Sequence, residues 1–413
     1  MDFIVGTFNT SNLYTLQFDP RQESISVRSI SQALVGHSWL ALSRDKKTLY
    51  CTSWGTPKSC IAAFKIPQDG GRLEFINSLP VDGRPGYVCC SASHVYSVGG
   101  ATGNVFTIRE DGGLENEVQT LDFVQQITEN MSEKRGAVAH GDFGGLRHGA
   151  HSCDLSPDGK TLYVADIGRN CVWAYGVAPA ESKHDARNGS YTNGTYIDKR
   201  LNHLTLDIKA IAPRAYDGPR HTWPHPNGKV LYSLQEHSSM VDAFLIVRDD
   251  QGIITELRLC GSGNILPEME TRTDFWADEV RLSSGPDASR PRYLYASTRG
   301  LNKATKGYVS VFEIDGEGLF VSEQAVDIWQ TPTSGGIANA IEPAPWCQAP
   351  GAEHLQYLAL TDSQEGTVSI LSFDGKSLRQ ACITTLQEEL SMPDEPRGGE
   401  TRLIIEAATA VWL

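Results

Sequence analysis

The sequence predicts an all-β fold, a seven-bladed β-propeller of four-stranded antiparallel blades that takes up residues 1–413 as one domain. Three observations lead there. A phrase recurs in which a His or Arg stands six residues before a Pro-containing turn that leads into a Leu-Tyr strand: HSCDLSPDGKTLYVAD from His151 to Asp166 and RHTWPHPNGKVLYSLQE from Arg220 to Glu236. HSWLALSRDKKTLYCTS, His37 to Ser53, is a looser copy. Hairpin-like runs accompany the phrase along the chain, their starts roughly 45 to 70 residues apart, the period of a propeller blade with some long loops. No run sustains a helical period.

Taken in order, FIVGTFNTSNLYTLQFD (Phe3–Asp19) opens the series, followed by LYCTSWGTPKSCIAAFKI (Leu49–Ile66) and HVYSVGGATGNVFTI (His94–Ile108). The remaining four begin at Leu162, Val230, Leu294 and Tyr357. Each sets two segments rich in β-branched and aromatic residues around a Gly, Asn, Ser or Asp turn, the signature of a hairpin. GGATGN, Gly99 to Asn104, is one of these turns and carries no phosphate role. The last apolar segment, LIIEAATAVWL to Leu413, has no hairpin partner after it. It is expected to join the blade begun by Phe3–Phe18, so that both termini share one sheet and no edge is left open. Two stretches depart from the pattern: Asp122–Gly149, expected to be a rim or lid because it ends in Arg147, His148 and His151, and Ala178–His203, expected to be a solvated excursion.

Composition limits the function. A formal charge of −14 argues against a nucleic-acid or anionic-membrane partner, which needs a basic face. No run is long and apolar enough to span a bilayer, and MDFIVGTFNT lacks the basic and apolar regions of a signal peptide. Nine Cys, an odd number with no CxxC pair, read as reduced thiols, so a cytoplasmic setting is expected. A homo-oligomer stays open.

The repeat also places a site. The SPDG and PNG turns suit the lower end of a blade, so His151 and Arg220 sit at the upper start of an inner strand. The next strand returns to that face four residues past its Tyr, which places Glu236 and Arg299 beside them. His37 shares the repeat position of His151, and Asp278 in WADEVRL holds a related one. His221, His225 and His237 flank the motif, and strand alternation turns at least one of them away. Two arginines around a narrow axis need an anion, which points to a small polycarboxylate ligand and disfavours a divalent cation. GxSxG, GxxxxGK[ST] and HExxH motifs are all missing, which removes the usual support for those hydrolases, P-loop enzymes and zincins.

TPTSGGIANAIEPAPW (Thr331–Trp346), LALTDSQEGTVSIL (Leu358–Leu371), GPRHTWPHPNGKVLYSLQE and LYASTRGLNK add a resemblance. In these blocks the chain resembles the fungal 3-carboxy-cis,cis-muconate cyclases, lactonizing enzymes grouped with the bacterial 6-phosphogluconolactonase-like propellers. The resemblance implies a cofactor-free intramolecular lyase in the protocatechuate branch of aromatic-acid breakdown. It places catalytic roles on His151, Arg220, Glu236 and Arg299, with either His151 or Glu236 as proton donor. His148, His37, Ile337 and Asn339 are expected to join Arg220 and Arg299 around the substrate. The pattern has a His after TPTSGG where this chain has Ile337, which points to an altered pocket. A lactone hydrolase or a cyclase of another unsaturated acid is therefore the alternative, and a non-enzymatic binding disc a third.

Overall fold

In the computed structural model the described residues are 1–55, 58–123, 149–178, 190–192, 195–197, 202–347, 354–387 and 403–413. They form seven four-stranded antiparallel sheets and one small hairpin, Ser190–Thr192 with Thr195–Ile197. Among the described residues the one helical segment is the 3-10 turn Arg272–Asp274. No described helix is long and apolar enough to cross a membrane.

The innermost strands are Leu40–Leu42, Tyr87–Cys90, Ala150–Leu155, Pro219–Pro224, Phe275–Leu282, Ile341–Pro343 and Ala407–Trp412, which begin or, for the last, complete blades two to seven and one. Each touches the next around a closed ring. The expected closure is present: Ala407–Trp412 pairs with Asp2–Thr7, in the register Phe3↔Trp412 and Val5↔Ala410.

The second strands explain the apolar runs in the sequence. Thr48–Ser53, Thr161–Asp166, Val230–Gln235 and Tyr293–Gly300 are buried at every residue, because each is flanked within its sheet and covered by neighbouring blades on both faces. The outer strands face water; Glu74–Pro80 has no buried residue. Core clusters accordingly lie between blades, as where Phe3, Tyr14, Phe18 and Trp412 of blade one meet Tyr357 and Ile370 of blade seven. The lower turns close as expected, Gly159 N–H donating to Ser156 O at 2.8 Å and Gly228 N–H to His225 O at 2.9 Å. Both glycines have φ of +70°, which a side chain would disfavour.

All nine cysteines are free thiols; the Cys89 and Cys153 sulfurs lie 3.8 Å apart, unbonded.

Candidate active site

Three successive inner strands are bulged at their upper ends. Ala150 and Ser152 pair with Asp166 and Ala165, leaving His151 as the extra residue. Pro219 and His221 pair with Gln235 and Leu234, leaving Arg220. Ala277 and Val280 pair with Thr298 and Ala296, so Asp278 and Glu279 together stand opposite Ser297. A bulge bends the strand and re-aims side chains, which suspends the two-residue alternation at this level of the channel.

One cavity lies there. His151, Arg220, His221, Glu236, Asp278, Glu279 and Arg299 line it, with Ile337, Ala338 and Ala340 from blade seven and Phe8, Trp54 and Trp276 at the sides. Trp39 belongs both to this cavity and to a second one at the opposite mouth, where Asp154, Arg281 and Glu342 lie, and so forms part of the partition.

The charged centre is a quartet. Arg220 donates from Nη1 to Glu236 Oε2 at 3.0 Å, from Nη2 to Asp278 Oδ1 at 2.8 Å and from Nε to the Asp278 carbonyl at 2.9 Å. Arg299 is held more loosely, 3.8 Å from Glu236 and 3.7 Å from Asp278, while its Nη1 donates to Ile337 O at 2.6 Å. Two cations and two carboxylates make the centre neutral before any ligand arrives. Burial, then repulsion from Arg220, lowers the Arg299 pKa. Burial also holds His151 well below the usual imidazole range, helped by the charges of Arg220, His221 and Arg299, so its ring is neutral at pH 7.

A loop of unusual composition brings Ile337 to this place. Gly335 and Gly336 have φ of +86° and +70°, and a Cβ on them would come within 2.6 Å of Asn339 Cβ and Ser363 Oγ. Thr333 Oγ1 donates to Asp362 Oδ2 at 2.6 Å, and Ser363 Oγ accepts from Ile337 N–H at 2.7 Å. The TPTSGG and TDSQEG blocks are thus two loops tied together, and their shared product is the carbonyl that holds Arg299. Ile337 reaches the cavity from this loop, four residues before its strand begins at Ile341, although it stands six residues before Pro343 as His151 and Arg220 stand before their turn prolines.

Other expected positions fall differently. Asn339 does not line the cavity: its Nδ2 donates to Thr298 O at 2.9 Å and its N–H to Asp278 Oδ2 at 2.8 Å, so it buttresses Asp278. His37 is buried outside the cavity, three residues before its strand starts at Leu40, and packs so closely on Gly6 that a Cβ there would lie 2.8 Å from its carbonyl oxygen. Burial takes its pKa down to about 4. His148 and most of both long stretches lie outside the described residues. His225 accepts from Asn227 N–H in the lower turn, and His237 packs edge-on to Trp276; neither lines the cavity. His221 does, together with Glu279, and these two were not singled out as cavity residues by the spacing argument. Among the described residues no three His, Cys, Asp or Glu are grouped to hold a metal ion.

A family model described as a seven-bladed β-propeller lactonase matches residues 2–332. The chain is 38% identical over 416 residues to a protein of Cutaneotrichosporon cutaneum named muconate cycloisomerase 1, covering 100% of this chain and 98% of that one. It is 22% identical over 413 residues to the carboxy-cis,cis-muconate cyclase of Neurospora crassa, with 93% and 95% covered. Among solved structures, a putative 6-phosphogluconolactonase from Bacteroides uniformis superposes with a TM-score of 0.67 at 20% identity, covering 100% of this chain and 99% of that one. A periplasmic gluconolactonase from Pseudomonas aeruginosa gives 0.68 at 18%, covering 93% and 96%. At these identities the two structures speak for the fold alone.

Proposed function

The chain belongs to the seven-bladed β-propeller lactonase family, and we propose that within it the protein is an intramolecular lyase that closes a muconate, the 3-carboxy-cis,cis acid or a close analogue, to a muconolactone in aromatic-acid breakdown. The observation that carries this reading is the cavity in which Arg220 and Arg299 face His151 and Glu236. The names of the two relatives above, one of them matched along nearly its whole length, support the reaction type.

The chemistry follows from the quartet. Arg220 keeps N–H groups beyond those given to Glu236 and Asp278, and Arg299 lines the same cavity 3.8 and 3.7 Å from these carboxylates, so both can take a substrate carboxylate. Holding the two ends of the diene acid curls it into a near-attack conformer. One carboxylate oxygen forms a C–O bond to the nearer carbon of the remote double bond, closing a five-membered ring, and the displaced π pair moves to the carbon beside the other carboxylate, whose growing charge an arginine stabilises. That pair then forms a C–H bond with a proton from His151 or Glu236, a step worth typically ~10²–10⁴-fold. Substrate with n negative charges becomes lactone with n−1, so each turnover consumes one proton. Water admitted to the same site would run a lactone opening instead, and Ile337 in place of a polar group is the feature that favours an unusual substrate.

The test is ultraviolet absorbance of purified protein with cis,cis-muconate and with its 3-carboxy derivative. Loss of the diene band with lactone as product is expected. An unchanged band together with hydrolysis of added lactones would replace the cyclase by a hydrolase.

A further inference from the structure

Behind His151 stands a second histidine with a carboxylate of its own. The His151 and His221 rings are 5.0 Å apart at 45°. Among the described residues each has a buried nitrogen without a hydrogen-bond partner, Nδ1 of His151 and Nε2 of His221. His221 Nδ1 lies 2.8 Å from Glu279 Oε1. His221 is 1% exposed and Glu279 fully buried, yet both border the cavity.

Resting on the cyclase reading above, we propose that Glu279, His221 and His151 form a proton-supply line, with His151 as the acid that touches substrate and His221 and Glu279 as the positioning residues that recharge it. The need for one is clear from the site. Cyclisation consumes a proton, and His151 is driven neutral with no carboxylate on its ring to keep one for it. Glu236 carries Arg220 and stands near Arg299, so protonating it would loosen the arginines.

The groups around His221 come from several blades. Arg220 is its chain neighbour, Arg281 and Glu279 face it from blade six, and the Trp39 and Tyr87 rings meet it edge-on from blades two and three. Burial, Arg220 and Arg281 together hold the imidazole well below its usual range, against the opposing charges of Asp278 and Glu236. On Glu279, burial and the neighbouring Asp278 carboxylate outweigh Arg281, the Val280 N–H and Arg220, which favour the carboxylate, and push it up to about 8. The pair therefore retains one proton at neutral pH. In the proton step, His151 gives an N–H proton to the carbon, its Nδ1 takes one from His221 Nε2 when the two rings close from contact to hydrogen-bond distance, and His221 Nδ1 takes the one held on Glu279. The deprotonated Glu279 is then refilled from solvent.

The experiment compares wild type, His221→Asn and Glu279→Gln by kcat, KM and the pH profile with a muconate substrate. Wild-type kcat is expected to fall as pH rises from 8 to 10, as the proton on the pair is lost. His221→Asn should lower kcat by up to roughly 10²–10⁴-fold with KM within about threefold, and Glu279→Gln should lose the alkaline limb, which Glu279→Asp retains. Wild-type kcat in His221→Asn, or a wild-type profile flat to pH 10, overturns the inference even if the buried variants fail to fold. Absence of any muconate turnover by the wild type overturns the functional reading, and the inference with it.

Discussion

Arg220 and Arg299 have similar positions and different partners, and substitutions should separate them. Arg220 makes the short contacts to two buried carboxylates, so Arg220→Ala leaves them only the more distant Arg299 and should cost about 3–5 kcal/mol of stability, read by urea denaturation. Arg299 stands 3.8 Å from Glu236 and 3.7 Å from Asp278, farther than Arg220 does, so Arg299→Ala should fold normally and lower kcat/KM by roughly 10²–10³. Arg299→Lys should recover only part, since it lacks the planar fork; full activity in either variant would take Arg299 out of the site. Ile337→His should shift preference toward the more highly carboxylated acid, measured as the ratio of kcat/KM for 3-carboxymuconate over muconate; an unchanged ratio would return Ile337 to a packing role. The placement of His151, Arg220, Glu236 and Arg299 at one mouth was legible because each stands at a fixed distance from a turn proline or a strand tyrosine. His221 and Glu279 escaped because they follow Arg220 and Asp278 directly, and alternation sends neighbours to opposite faces. The available signal was polarity: a His and a Glu in strands otherwise fit for a core.

At the level of the element, the bulges do what alternation cannot, and no residue type announces them. Pro219, Ala150 and Ala277 precede them without a shared motif, which is why repeat spacing located the strand starts but not the doubled side chains. The TPTSGG loop was conspicuous for the opposite reason, since paired left-handed glycines leave a mark in composition. Lower in the same inner strands, Asp154 accepts from Tyr87 Oη at 2.8 Å and Thr222 Oγ1 at 2.9 Å, and burial raises it to about 7. A raised folded pKa means this group's share of stability is complete below 3.8 and is lost as pH rises to about 7. Asp154→Asn removes the titration. The variant should gain on the wild type by a few kcal/mol, on the order of 1.4 per pKa unit, between pH 4 and pH 8. Denaturation curves at the two pH values check it, and a difference independent of pH would show that Asp154 stays ionised.

The ring as a whole was readable from seven hairpin runs and an orphan terminal strand, because burial on both faces fills the second strands with aliphatic and aromatic residues and leaves the loops between them polar. The outer strands were less visible: exposed on one side, they carry little apolar pattern, as Glu74–Pro80 shows. Closure by the last strand depends on Trp412, which packs at a tilt against Phe3 with ring centres 4.5 Å apart and donates to Glu342 O at 2.9 Å, joining blades one and seven. Trp412→Ala should therefore cost roughly 3–5 kcal/mol and lower the denaturation midpoint of the whole transition, whereas a separate early transition would mean that the blades unfold independently of closure. Function too is a property of the ring, since three blades supply the quartet and its histidine and a fourth holds Arg299 by a loop carbonyl. The central claim is that this mouth closes a lactone, and the most direct measurement is the sign of proton exchange in an unbuffered pH-stat during turnover of muconate by the purified protein. Uptake of one proton per diene lost is the predicted result; an intact diene, with one proton released per molecule of lactone consumed, would contradict it.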